Sequence, residues 1–116
     1  MREADIIRLR HILDASHKIV FFADRRKRSE LDSDEMLTSA LIRQIEIIGE
    51  AATKISNDIR EQLPEIPWRS MIGMRNMLIH MYDDVNLDTV WYTIRFSIPK
   101  LIDELEKIPE LKQIQD

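Results

Sequence analysis

Apolar residues recur every three or four positions along most of this chain, in four runs separated by polar or proline-bearing breaks. In the first run Ile6, Leu9, Ile12, Leu13, Ile19, Val20 and Phe22 form a wide apolar stripe, which predicts a helix over about residues 3 to 24. Ser29 to Ser33 reads as a connection in which Asp32 or Ser33 caps the next helix. Leu37, Leu41, Gln44, Ile45, Ile48, Ala52, Ile55 and Ile59 then share one narrow arc, with Arg43, Glu46, Glu50 and Lys54 opposite. This predicts one long amphipathic helix from about 34 to 61. Gly49, Ala51 and Ala52 place small side chains in its middle, which suits the close approach of another helix.

Two prolines in Leu63-Pro64-Glu65-Ile66-Pro67 remove backbone donors and make the clearest break in the chain. A third helix is expected from near Trp68 to about Tyr82, with Pro67 at its first turn. Asp83 to Asn86 forms a second break with Asn86 as a cap. The last helix runs from about Leu87 to Ile108, buries Val90, Trp91, Ile94, Ile98, Leu101, Ile102 and Leu105, and kinks at Pro99. The predicted class is all-α, an antiparallel bundle of four to five helices.

Composition narrows what such a bundle does. The 116 residues, 44% hydrophobic and 33% charged, suit one domain spanning residues 1–116 and exclude a two-domain enzyme. With 17 Lys+Arg against 21 Asp+Glu the net charge is −4, so any nucleic-acid role must rest on local clustering. The absence of cysteine excludes disulfides, thiolate metal sites and a cysteine nucleophile. No apolar run approaches the roughly 20 residues of a membrane span. Met1 to Arg10 lacks the apolar core of a signal peptide, and a cytoplasmic location is expected. Arg25-Arg26-Lys27-Arg28 follows the first helix, where the dipole favours cations; a solvated helix end is the plainer reading, contact with RNA phosphates the other.

The third helix breaks the pattern kept by the others. Arg75 lies in the middle of its apolar face, between Ile79 and Ile72 on one side and Leu78, Met71 and Tyr82 on the other. A guanidinium keeps its proton, so placing it there is costly unless it meets a carboxylate, a phosphate or a partner chain. Asp83, Asn76 and His80 form a polar arc beside it. Imidazoles as a class exchange protons near neutral pH. Arg75 and His80 project about 140° apart on one helix, so convergence on one phosphate needs long side chains or two copies of the helix across a symmetric dimer.

The run from Pro67 to Tyr82 resembles the HepT-like branch of the HEPN superfamily, whose signature is Arg, four residues, His, one residue, Tyr. Arg75, His80 and Tyr82 fill all three positions, and Asn76 matches the polar residue that often follows the arginine. The resemblance extends to Ile47-Ile48-Gly49-Glu50-Ala51-Ala52 and to Leu87-Asp88-Thr89-Val90-Trp91, and departs from the usual pattern at Asn86, where relatives frequently carry aspartate. It implies a HEPN-type bundle forming a symmetric dimer and acting as a metal-independent endoribonuclease. It also implies the toxin half of a type VII-like toxin–antitoxin module, with no cofactor and no metal. The implied partner is a nucleotidyltransferase antitoxin of the MNT type, which transfers AMP to the motif tyrosine, here Tyr82.

On this reading His80 is general acid or base, Arg75 clamps the phosphate and its transition state, and Asn76 orients by hydrogen bonding, with Asp83 in support. The alternative is a non-catalytic HEPN module that binds a nucleotide or acts as a dimeric interaction domain, with Arg75 in a buried ion pair to Glu46 or Asp83. A carboxylate-bridged metal bundle would want Glu-x-x-His pairs, and the chain contains none. His17 reads as a packing histidine and His11 as plain surface. Trp68 and Trp91 read as core anchors rather than base-stacking platforms, and the methionines of the third helix as adaptable packing or dimer interface.

Overall fold

The computed structural model describes residues 1–80 and 84–114, and all regular structure among them is helical. Helix α1 covers Glu3–Ala23, within a residue of the expectation, and buries Leu9, Ile12, Ala15, Ile19 and Ala23 along one stripe. Val20 lies outside that stripe and is exposed, a correction to the sequence reading. Ser16 is fully buried because its hydroxyl donates to the Ile12 carbonyl at 2.7 Å.

The segment expected to be a plain connection contains a short helix, α2 (Glu30–Ser33), anchored by buried Leu31. Helix α3 (Glu35–Thr53) starts one position past its cap, Asp34, whose carboxylate accepts from the Leu37 amide at 3.0 Å. Asp34, not Asp32 or Ser33, is therefore the cap.

The long second helix does not run to 61. It stops at Thr53, and a separate helix α4 (Asn57–Gln62) follows. The cause is a buried carboxylate from the other end of the chain. Asp5, in the first turn of α1, accepts from both the amide (3.0 Å) and the hydroxyl (2.8 Å) of Ser56, which in turn caps α4. Holding Ser56 extended satisfies a buried charge that would otherwise be costly. Arg60 then donates to the Ala52 carbonyl at 2.8 Å, occupying an acceptor left open where α3 ends. Ile55 and Ile59 stay buried across the break.

Helix α5 covers Trp68–His80. Trp68 anchors its start, buried and donating its indole N–H to the Leu63 carbonyl at 3.1 Å. Helix α6 (Leu87–Tyr92) begins at the expected cap, with the Asn86 side chain accepting from the Asp88 and Thr89 amides. The expected kink at Pro99 is instead a π-helical segment, Thr93–Ser97, leading into α7 (Ile98–Leu105). Pro99 has no N–H to return to the Arg95 carbonyl, and the wider turn absorbs that missing bond before the proline is reached. A 3-10 turn, Pro109–Ile114, follows α7 and lies against α1.

Packing places α3 between α1 and α5, with α7 on α1. The extents of 42 × 31 × 19 Å make a slab whose thinnest dimension holds about two helix diameters. Helix α5, which carries the signature, leans on α3 at one flank of this array. No helix among the described residues is long and apolar enough to cross a membrane.

Candidate functional site

Helix α5 turns Met71 and Leu78 into the core and leaves Gly73, Asn76 and His80 exposed. Arg75 lies between those groups and is half-buried. Its stem passes over α3 at Gly49: a methyl group added to Gly49 would collide with Arg75 Cβ and come within 2.9 Å of Arg75 Cγ and of the Met71 carbonyl oxygen. At the other end of the side chain, Arg75 Nη1 donates to Asn76 Oδ1 at 3.0 Å. Arg75 Nε is buried without a hydrogen-bond partner among the described residues. The guanidinium is thus held at its root and at one tip.

Among the described residues Arg75 makes no ion pair. Glu46, one conceivable partner, lies 3.6 Å from Arg43 instead. Asp83, the other, falls outside the described residues, as does Tyr82. His80 is exposed as the last residue of α5, about 7.5 Å along the axis from Arg75 and turned about 140° from it. The structure therefore joins Arg75 to Asn76 and keeps His80 on the open side of the same helix.

The basic run after α1 is organised differently. Arg26 reaches Glu30 at 2.8 Å and Asp34 at 3.4 Å; Arg28 reaches Asp88 at 2.8 Å and Asp32 at 3.0 Å. These partners hold both guanidinium protons more tightly than usual, chiefly the hydrogen bond from Arg26 to Glu30 and that from Arg28 to Asp88. Glu30 titrates below the ordinary carboxylate range, first because of Arg26 and then because it accepts from the Lys27 amide. Two of the four cations of this helix end are thus paired, and Arg28 ties it to the start of α6.

His17 is not a packing histidine. It is exposed, with Nε2 3.6 Å from Glu106, while His11 is surface as expected. Trp91 is half-buried with the Arg95 guanidinium 5.9 Å from its ring centroid. Among the described residues no three His, Asp or Glu side chains gather as a metal site would require. A groove of about 660 Å³ runs between α5, α3 and the π segment, lined by Ile48, Met71, Met74, Met77, Phe96 and Leu101. Tyr92 and Phe96 stack at its rim with centroids 4.9 Å apart, each 62% exposed.

Arg75 and His80, spaced as the HEPN signature requires, thus share one flanking helix of an all-helical fold, the arginine unpaired among the described residues and the histidine exposed. The family model "Ribonuclease HepT-like" matches residues 12–108, and the chain belongs to the HepT-like family of the HEPN superfamily. It is similar to a candidate RNase of Methanocaldococcus jannaschii, with 37% identity over 95 residues that make up 82% of this chain and 87% of the relative. It is 45% identical over 75 residues to the probable ribonuclease HepT of Thermococcus cleftensis, covering 65% of this chain and 68% of that one. A candidate RNase of Caldanaerobacter subterraneus is 35% identical over 100 residues, 86% of this chain and 89% of the relative. No solved structure is a significant match.

Proposed function

We propose that this chain is a metal-independent endoribonuclease, the toxin half of a type VII-like toxin–antitoxin module. The observation that carries the reading is Arg75: a guanidinium seated on an apolar helix face, oriented by Asn76, with no carboxylate partner among the described residues. Such a group suits an incoming phosphate, which supplies the missing negative charge. The bundled ion pair required by a purely structural role for Arg75 finds no support at Glu46.

In the reaction, a base removes the proton of the ribose 2′-hydroxyl and its oxygen attacks the adjacent phosphorus. The P–O5′ bond breaks, an acid returns a proton to the departing 5′-oxygen, and a 2′,3′-cyclic phosphate remains. His80 supplies acid or base catalysis, and Arg75 stabilises the charge developing on the non-bridging oxygens. Asn76 fixes the guanidinium, and Asp83 is assigned a supporting role. Two copies of one domain spanning residues 1–116, related by a twofold axis, would supply two histidines and two arginines to a shared cleft. The methionine-rich groove beside α5 supports such a pairing.

Tyr82 is assigned as the acceptor of AMP from a nucleotidyltransferase antitoxin. Seven residues is two helical turns, so by sequence spacing alone Tyr82 and Arg75 fall on one side of a helical wheel, and a phosphate added there would repel RNA.

His80→Ala and Arg75→Ala are each expected to abolish RNA cleavage with circular dichroism and light scattering unchanged. Full cleavage by purified His80→Ala protein would sink the nuclease reading. Tyr82→Phe is expected to take up no AMP from the partner and ATP, as read by mass spectrometry.

A further inference from the structure

We infer that Gly49 is a positioning residue for Arg75: the bare backbone of α3 at this point is the seat that fixes where the guanidinium is presented. The inference rests on the nuclease reading of Arg75 and adds to it a residue on a different helix.

The two glycines of the chain isolate the point. Gly73, in the middle of α5, has nothing within 4 Å of where a methyl group would go, so no neighbour requires its smallness. Gly49, in the middle of α3, is buried, and the three atoms nearest to where its side chain would begin all belong to the turn of α5 from Met71 to Arg75. Cβ and Cγ at the root of Arg75 and a backbone carbonyl are not loose chain ends that swing aside. A side chain at 49 is accommodated only by moving the Arg75 root and its turn on the order of 1 Å, since packed interiors do not absorb an extra carbon. Among the described residues Arg75 Nε is buried without a partner, so hydrogen bonding gives the side chain no second anchor on the α3 side. Its one hydrogen bond among those residues goes to Asn76, and a displaced root would stretch or break it. His80 lies exposed on the far arc of α5, away from α3. Of the two, Arg75 is the side chain rooted directly on Gly49.

Misplacing a catalytic group by about 1 Å can cost about 10²-fold in rate. Gly49→Ala is accordingly expected to lower single-turnover cleavage of a short RNA about 10²-fold per folded molecule. It is also expected to weaken binding of the same RNA carrying a 2′-deoxy at the scissile position. The Arg75→Ala background keeps the Cβ contact but has no guanidinium left to misplace, so there Gly49→Ala should cost nothing further in that binding. A residue that merely stabilised the fold would lower both backgrounds alike. Equal losses in the two backgrounds, or wild-type cleavage by folded Gly49→Ala protein, would overturn the proposal.

A measurement on the unmutated chain needs no variant to fold. The Arg75 Nε–H resonance is expected to exchange with solvent at least tenfold more slowly than those of exposed arginines such as Arg43. Exchange at the surface rate means the seat does not exist. Because that readout involves no RNA, it separates failure of the seat from failure of the nuclease reading, which His80→Ala reports.

Discussion

The chain carries arginine in two settings, and the one its sequence makes conspicuous is the one with carboxylate partners. Residues 25–28 concentrate three arginines and a lysine, whereas Arg75 stands alone on an apolar face. Half of the concentrated site is spent internally: Arg26 and Arg28 each meet two carboxylates. The solitary one meets none among the described residues and is held ready by an amide side chain and a glycine seat. Local charge density is therefore a poor guide to charge available for a ligand. A guanidinium serves a substrate when the fold pins its stem and leaves its charge unmatched, and a net charge of −4 is no obstacle to that.

The largest expected effect follows directly. Arg75→Ala should abolish detectable cleavage, a loss of at least about 10² to 10³-fold, the range for removing one preorganised donor to developing charge. Arg28→Ala should leave the rate within about twofold, because exposed surface pairs carry little energy and this one is satisfied before any substrate arrives. Parallel rates on one RNA substrate make the comparison. A larger loss from Arg28→Ala than from Arg75→Ala would reverse the ranking of the two settings. Thermal melts of the same proteins should show only a modest lowering for Arg28→Ala.

How far the sequence anticipates this differs between fold and site. The helical stretches are legible because burial follows the 3.6-residue period almost everywhere, as in Leu9, Ile12, Ile19 on α1 and Leu37, Leu41, Ile45, Ile48 on α3. Where the period misleads, a distant residue is the reason. Ile55 and Ile59 continue the helical spacing straight through the gap between α3 and α4, and the gap is held by Asp5, 51 residues upstream. The π segment is likewise silent in the pattern, since Ile94 within it and Ile98 just after it are both buried at ordinary helical spacing. At the site, Arg75, Asn76 and His80 are named by a motif, yet nothing local says that Arg75 rests on Gly49. The run Gly49, Ala51, Ala52 announces a close helix approach without announcing its partner.

A smaller effect probes the paired cluster by its backbone. Arg25 adopts φ 61°, the left-handed region, where an L side chain is strained by about 1 to 2 kcal/mol. Glycine relieves that strain at a cost in unfolded-state entropy of about 0.5 to 1 kcal/mol. Arg25→Gly should therefore raise stability by up to about 1 kcal/mol in urea denaturation while leaving cleavage unchanged. It removes a positive charge from the basic run and is expected to improve the protein. Loss of RNA cleavage in this variant would show that the run serves substrate after all.

The smallest effect is set by pH. Glu30 titrates low because Arg26 and the Lys27 amide favour its charged form in the folded chain. A depressed folded-state value means the unfolded state takes up the proton first as the solution is acidified. The contribution is complete above the ordinary carboxylate range and fades as pH falls through the lowered value of Glu30. Glu30→Gln should flatten this part of the acid limb of a stability-against-pH curve, with the two curves drawing together at the most acidic end. Arg75 has no such carboxylate among the described residues, so Arg75→Ala should leave the acid limb parallel to that of the unmutated chain. A limb that flattened equally in both variants would mean that the two arginines are paired alike, and the distinction between a spent and an available charge would fall with it.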